Sequence, residues 1–186
     1  MYRDSSLKTY VDDLAAKLPA PGGGSAAALN AALGASLISM VINFTVGKPK
    51  YAAFEAELRQ MLERSEKLRM GFLDLVDKDV LAYNSKNISD ALDIPLMIAR
   101  LCLEAASLCP ALIKKGNVNL ISDVACAAIL LESAFACACC NVEINLKTLQ
   151  DKKLTKMMRK ELRQKEKHIK RIRQQTEASV GKIVRG

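Results

Sequence analysis

Residues Pro19-Ala20-Pro21-Gly22-Gly23-Gly24-Ser25 lead without a break into Ala26-Ala27-Ala28-Leu29-Asn30, and this junction decides the fold. Two prolines stiffen the approach, and three glycines open backbone angles that other residues avoid. Ser25 stands where a helix N-cap belongs. The stretch that follows, to Val46, carries no charge and is rich in Ala and Gly, which reads as a helix packed closely by its neighbours. The N–H groups at its start, with the positive end of the helix dipole, offer a site for an anionic or carbonyl group. No Gly-Lys-Ser/Thr closes the loop and no strand precedes it, so it is neither a Walker loop nor a dinucleotide fingerprint.

The rest of the chain agrees with a helical protein. Its 186 residues are 50% hydrophobic and 4% aromatic, without Trp, which predicts one domain over 1–186 with a substantial core. The uncharged run from Ser25 to Val46 is long enough to span a bilayer. However, Asn30, Ser36, Ser39, Asn43 and Thr45 interrupt it, which favours a buried helix and no membrane. No charged segment followed by a short apolar stretch opens the chain, so a cytoplasmic protein is expected. The six cysteines, Cys102, Cys109, Cys126, Cys137, Cys139 and Cys140, then read as small buried thiols. Cys137 and Cys140 form a C-x-x-C without a second ligand pair, so no metal is expected. His168 is the single histidine, which argues against Ser-His or Cys-His catalysis.

Periodicity predicts an all-α, mostly antiparallel bundle of about six helices. The first covers about Ser6 to Leu18, with Leu7, Tyr10, Val11, Leu14 and Leu18 as its apolar stripe. The second runs from Ser25 to about Val46, before Gly47-Lys48-Pro49. The third runs from about Tyr51 to Tyr83, where Leu58, Leu62, Ser65, Leu68, Phe72, Val76, Asp79 and Tyr83 recur at helical spacing. Asn84-Ser85-Lys86-Asn87 reads as a turn. A fourth helix begins near Asp90 or Pro95 and ends at Gly116, with Pro110 kinking or interrupting it. The fifth follows Gly116-Asn117 and runs to about Leu149; it is apolar all round from Val124 to Leu131. The sixth opens at Asp151 and carries thirteen Lys and Arg against four Asp and Glu. No aromatic side chains are interleaved there for base stacking, so nucleic acid is not expected as a partner.

Two carboxylates stand out. Asp79 sits on a core-facing stripe, where lost hydration raises a carboxyl pKa into the range of general acid–base work; a boundary carboxylate paired with Lys or Arg reads equally well. Asp123 follows Gly116-Asn117-Val118-Asn119-Leu120-Ile121-Ser122. It is either a cap stabilised by the helix dipole or an anion for a cationic ligand. Asn117, Asn119, Asn43 and Asn30 supply neutral donors and acceptors nearby in the sequence pattern.

Three segments together resemble the cyclodeaminase/cyclohydrolase family, which includes the cyclodeaminase domain of formiminotransferase-cyclodeaminase and the bacterial methenyltetrahydrofolate cyclohydrolases. They are Leu18 to Ala28, Leu73-Asp74-Leu75-Val76-Asp77-Lys78-Asp79 with Ala82-Tyr83-Asn84, and Lys115 to Asp123 with Asn141-Val142-Glu143-Ile144-Asn145-Leu146. The resemblance implies an all-α fold and a tetrahydrofolate derivative as substrate. It also implies no metal, no further cofactor, and a homodimer. It implies either hydrolysis of 5,10-methenyltetrahydrofolate to 10-formyltetrahydrofolate, or deamination of 5-formiminotetrahydrofolate to the methenyl compound with ammonia release. Hydrolysis is favoured because no formiminotransferase domain is attached.

On this resemblance Asp79 is the acid–base, Asp123 faces the cationic methenyl group, and Gly22, Gly23, Gly24 and Ser25 position the pterin or carbonyl groups. Asn43, Asn117 and Asn119 complete the substrate contacts. Ala27, Ala31, Gly34 and Ala35 offer a small-residue dimer face. The basic face of Lys152, Lys156, Arg159, Lys160, Arg163, Lys167, Lys170 and Arg171 would attract a polyglutamyl tail or is simply solvated. One departure is a short 84–94 segment, about ten residues to Ile94-Pro95-Leu96 where roughly thirty are expected. Its alternative consequence is a non-catalytic folate-binding or structural relative.

Overall fold

The computed structural model describes residues 1–85 and 88–186. Among them are seven α-helices and no β-strand: α1 Leu7–Ala15, α2 Gly23–Asn43, α3 Glu55–Ser85, α4 Ile88–Ala106, α5 Cys109–Lys115, α6 Ile121–Leu146 and α7 Lys152–Arg185. Short 3-10 turns lie at Tyr2–Asp4, Pro49–Phe54 and Val118–Leu120. The all-α expectation holds. The expected fourth helix is two helices, because the chain breaks at Ser107–Leu108 and Pro110 enters the first turn of α5, where its missing N–H costs nothing. Of the expected turn at 84–87, Asn84 and Ser85 instead close α3, and Lys86 and Asn87 lie outside the described residues.

The uncharged helix α2 is the hub, lying between α3 and α6, with α4 also on α6 and α7 across α4, α5 and α6. Its small side chains explain the arrangement. Ala28, Ala31, Ala35, Ile38, Val41 and Ile42 are fully buried, and a Cβ at Gly34 would lie 2.8 Å from Leu131 Cγ of α6. The dimer face expected on Ala27, Ala31, Gly34 and Ala35 is therefore corrected: their lack of bulk lets α6 approach within the same chain. α2 and α6 run antiparallel, with Gly23 beside Asn141 and Gly34 beside Leu131. Phe72, Leu131, Phe135 and Ile38 fill the space around them, each contributing about 1.5–3 kcal/mol of burial. Ser39 and Ser65 satisfy each other inside this core at 2.8 Å.

Among the described residues, three helical stretches are long and apolar enough to cross a membrane: Gly23–Asn43, Asp90–Lys115 and Val118–Leu146. In this fold the helices of all three pack against one another through α6.

The α3 stripe is buried at Leu58, Ser65, Leu68, Phe72 and Val76, then leaves the core. Asp79 is half-buried and Tyr83 is exposed. The α1 stripe behaves otherwise. Tyr10 alone is buried, while Leu7 and Val11 are 73% and 58% exposed, because none of the described residues covers that side. Beyond the C-terminus of α6, Asp151 caps α7, its side chain accepting from the N–H groups of Lys153 and Leu154.

Candidate functional site

The first turn of α2 faces a cavity of about 270 Å³, walled by α3, α4 and α6. Gly22 is the N-cap, three residues before the expected Ser25. Neither Gly22, Gly23 nor Gly24 adopts a positive φ, so their role is not the backbone freedom the sequence implied. It is the missing Cβ. A Cβ on Gly24 would fall 2.1 Å from Asp79 Oδ1, so only glycine lets that carboxylate rest against the helix end. Asp79 Oδ2 accepts the Ser25 N–H at 2.8 Å. The anion site expected at this helix start is thus filled by a side chain 54 residues along the chain. Burial raises the Asp79 carboxyl above its ordinary range, and the Ser25 N–H partly offsets this.

Asp79 is the only carboxylate among the described residues that line the cavity, and no Lys or Arg lines it with them. Ser25 lies fully buried behind the wall, its Oγ 3.1 Å from the Tyr10 hydroxyl. The remaining walls include Tyr83, Pro95, Asn141, Ile144 and Asn145, which lie in or beside the sequence motifs but are not among the expected site residues. Tyr83 and Ile144 stand 61% and 63% exposed at the mouth. Pro95 has no N–H to offer the carbonyl of Ala91 one turn earlier, and the Asn145 Nδ2 donates to that carbonyl instead. Asn141 Nδ2 donates to the Cys137 carbonyl at 2.9 Å and stands beside Gly23. These amides sit at i and i+4 on α6, the signal that was available in the sequence.

The other predicted residues lie at the far end of α2, about 30 Å away by helix rise. Asn43 is exposed there. Asn117 is buried; its N–H donates to Thr45 Oγ1 at 2.9 Å and its Nδ2 to the Phe44 carbonyl at 3.2 Å. Its Oδ1 accepts the Asn119 N–H at 3.2 Å. Asp123 is in the first turn of α6, about 27 Å along that helix from Asn141. Within one copy, then, Asp123, Asn43, Asn117 and Asn119 do not share the cavity of Asp79, which corrects the single constellation expected from sequence.

Cys126, Cys137 and Cys140 are exposed, not buried as expected; Cys102 and Cys109 are buried, and burial pushes the Cys109 thiol up to about 12. No group of three His, Cys, Asp or Glu able to hold a metal ion occurs among the described residues.

Comparison with known proteins converges on one group. The family described as formiminotransferase-cyclodeaminase matches residues 6–87 and 84–164. A methenyltetrahydrofolate cyclohydrolase of Methylorubrum extorquens is 36% identical over 185 residues, covering 87% of this chain and 89% of that one. A formimidoyltransferase-cyclodeaminase of Rattus norvegicus is 30% identical over 80% of this chain, which spans only 32% of that relative. The crystal structure of formiminotetrahydrofolate cyclodeaminase from Thermotoga maritima superposes with a TM-score of 0.93 at 31% identity, covering 99% of this chain and 100% of that one.

Proposed function

Because the chain belongs to the formiminotransferase-cyclodeaminase family, we propose that it is a folate one-carbon enzyme that hydrolyses 5,10-methenyltetrahydrofolate to 10-formyltetrahydrofolate. The observation that carries this reading is Asp79, the lone carboxylate of the cavity, held against the start of α2. A negative wall without a neighbouring Lys or Arg suits the cationic methenyl group. Water adds to the methenyl carbon while Asp79 accepts its proton, leaving a hydroxyl-bearing carbon between N5 and N10. As the carbonyl forms, the C–N5 bond breaks, Asp79 returns its proton to N5, and the hydroxyl proton leaves to solvent. A carboxyl raised by burial suits both directions of that transfer.

Deamination of 5-formiminotetrahydrofolate is the second reading, supported by the likeness to the Thermotoga maritima cyclodeaminase. There N10 attacks the formimino carbon and the same carboxyl protonates the departing ammonia. The test follows methenyl absorbance and ammonia release together. Absorbance lost on adding the protein supports hydrolysis; absorbance gained with ammonia supports deamination. Folate bound without turnover would make the chain a non-catalytic relative, the consequence foreseen for the short 84–94 segment.

Three further points belong to this reading. The chain acts as one unit over 1–186, in a reducing, cytoplasmic compartment, supported by six cysteines without a disulfide. It forms a homodimer through the outer face of α2 and α6, where Leu33, Phe44 and Ile129 are exposed and α2 carries no charge. A two-fold laying α2 antiparallel to its mate would bring the partner's Asp123 toward the cavity. Mixing Asp79→Asn with Asp123→Asn chains would then restore activity that neither has alone, and a monomer in light scattering would refute the arrangement. Finally, the substrate carries a polyglutamyl tail. Lys156, Lys160, Arg163 and Lys167 line a hollow of about 470 Å³. A second hollow, lined by Lys147 and Lys152, begins one turn beyond the cavity residue Ile144. Arg159 and Lys170 of the expected face are engaged with Glu143 and Glu166.

A further inference from the structure

Helix α1 buries one residue, Tyr10, and leaves its other large side chains in solvent. Such a helix adds little to the core, yet the N-terminal segment is pinned repeatedly. The Tyr2 and Arg3 N–H groups donate to Asp77 Oδ1 and Oδ2 at 2.7 and 3.4 Å. The Tyr2 hydroxyl donates to Asp13 at 2.9 Å, and Arg3 pairs with Asp74. The Tyr2 ring meets the Tyr10 ring edge-on at 5.3 Å. Asp77 is 4% exposed, so α3 holds a buried carboxylate for two backbone N–H groups of this segment. Two residues on, Asp79 turns toward α2.

The pinned Tyr2 ring packs on Tyr10, whose hydroxyl lies 3.1 Å from Ser25 Oγ. Ser25 is fully buried, and its N–H makes the 2.8 Å bond to Asp79 Oδ2. With that oxygen held, Oδ1 lies over Gly24 at the cavity wall. We propose that Tyr10 is a positioning residue for Asp79, acting through Ser25, and that the segment Met1–Ala15 serves as its brace. The inference rests on the reading of Asp79 as the acid–base. Asp13, Arg3 and Tyr2 from the segment, and Asp74 and Asp77 from α3, are the ionisable groups that face this joint.

Tyr10→Phe keeps the ring and removes the hydroxyl. The expected result is a kcat lower by about ten- to a hundredfold with KM little changed, the size of effect expected when a reacting group is slightly misplaced. Ser25→Ala should cost a similar factor, and the double variant no more than either single, because both act along one path. Carbon-13 titration of the aspartate carboxyls, with Asp79 identified by its absence in Asp79→Asn, reads the brace without activity. Loss of the hydroxyl loosens the Ser25 N–H bond that lowers Asp79, so its midpoint should rise in Tyr10→Phe. Additive losses in the double variant, or an Asp79 midpoint unchanged or lowered, would overturn the proposal. A wild-type protein without turnover would sink the functional reading alone, and the titration would still decide the brace. Should Tyr10→Phe fail to fold, Asp77→Asn loosens the same segment one layer out and must move the midpoint in the same direction.

Discussion

The two ends of α2 look alike in sequence and behave differently in space. Each combines glycine with short polar residues: Gly22-Gly23-Gly24-Ser25 at the start, and Gly116-Asn117-Val118-Asn119 beside the end. At the end, every polar group of Asn117 has a partner within the chain, and the Val118 N–H reaches the Tyr51 hydroxyl at 3.2 Å. At the start, one buried N–H holds a carboxylate whose other oxygen borders a cavity. A polar loop whose hydrogen bonds close on themselves is a joint; one that holds an ionisable group at an open wall is a reaction site.

Removing the carboxylate is the strongest test of that contrast. Asp79→Asn should lower turnover by about 10²–10⁴-fold, measured by methenyl absorbance. It also has a pH signature. Burial raises Asp79 in the folded chain, so the folded state holds that proton more tightly than the unfolded one. Stability from this group is therefore full below the ordinary aspartate range and falls as pH rises through the elevated window. The melting temperature of Asp79→Asn relative to wild type should thus increase from acid to neutral pH, while wild-type kcat rises over the same window as the base ionises.

Gly24→Ala comes next. The new Cβ must push Asp79 off the helix end, which should cost about 10²-fold in turnover and about 1–3 kcal/mol by overpacking. At the opposite end the balance should reverse. Asn117→Ala strands the Phe44 carbonyl and the Asn119 N–H, so urea unfolding should show about 1–3 kcal/mol lost with a far smaller change in kcat than Asp79→Asn gives. The smallest effect concerns α7: tighter capture of polyglutamyl over monoglutamyl folate at low salt, fading as salt approaches 0.1 M, where the screening length is about 10 Å. Equal affinities at low salt would leave the basic face as a solvated surface.

Much of this was readable in the sequence wherever the signal is local. The Asp151 cap, the break before Pro110 and the α3 stripe from Leu58 to Val76 depend on neighbours within one or two turns. Asp79 was visible as a carboxylate out of place on an apolar stripe. What was not readable depends on distant parts of the chain. Ser25 looked like a cap because the true partner of its N–H lies on another helix. The exposure of the α1 stripe was hidden, because periodicity shows which face is apolar but not whether anything covers it. Asp123 looked like a companion of Asp79 because sequence order carries no distance, and an antiparallel pair of helices sets their motifs at opposite ends.

The bond from Asn145 to the Ala91 carbonyl reaches beyond this one chain. Proline at 95 creates a vacancy that the Asn145 amide of α6 fills. Inheritance should therefore treat positions 95 and 145 as one character. Lineages that lose the proline are released to change the asparagine, whereas those that keep it are not. A single pair of columns would then report the shape of the cavity's α4 wall in relatives whose structures nobody has determined.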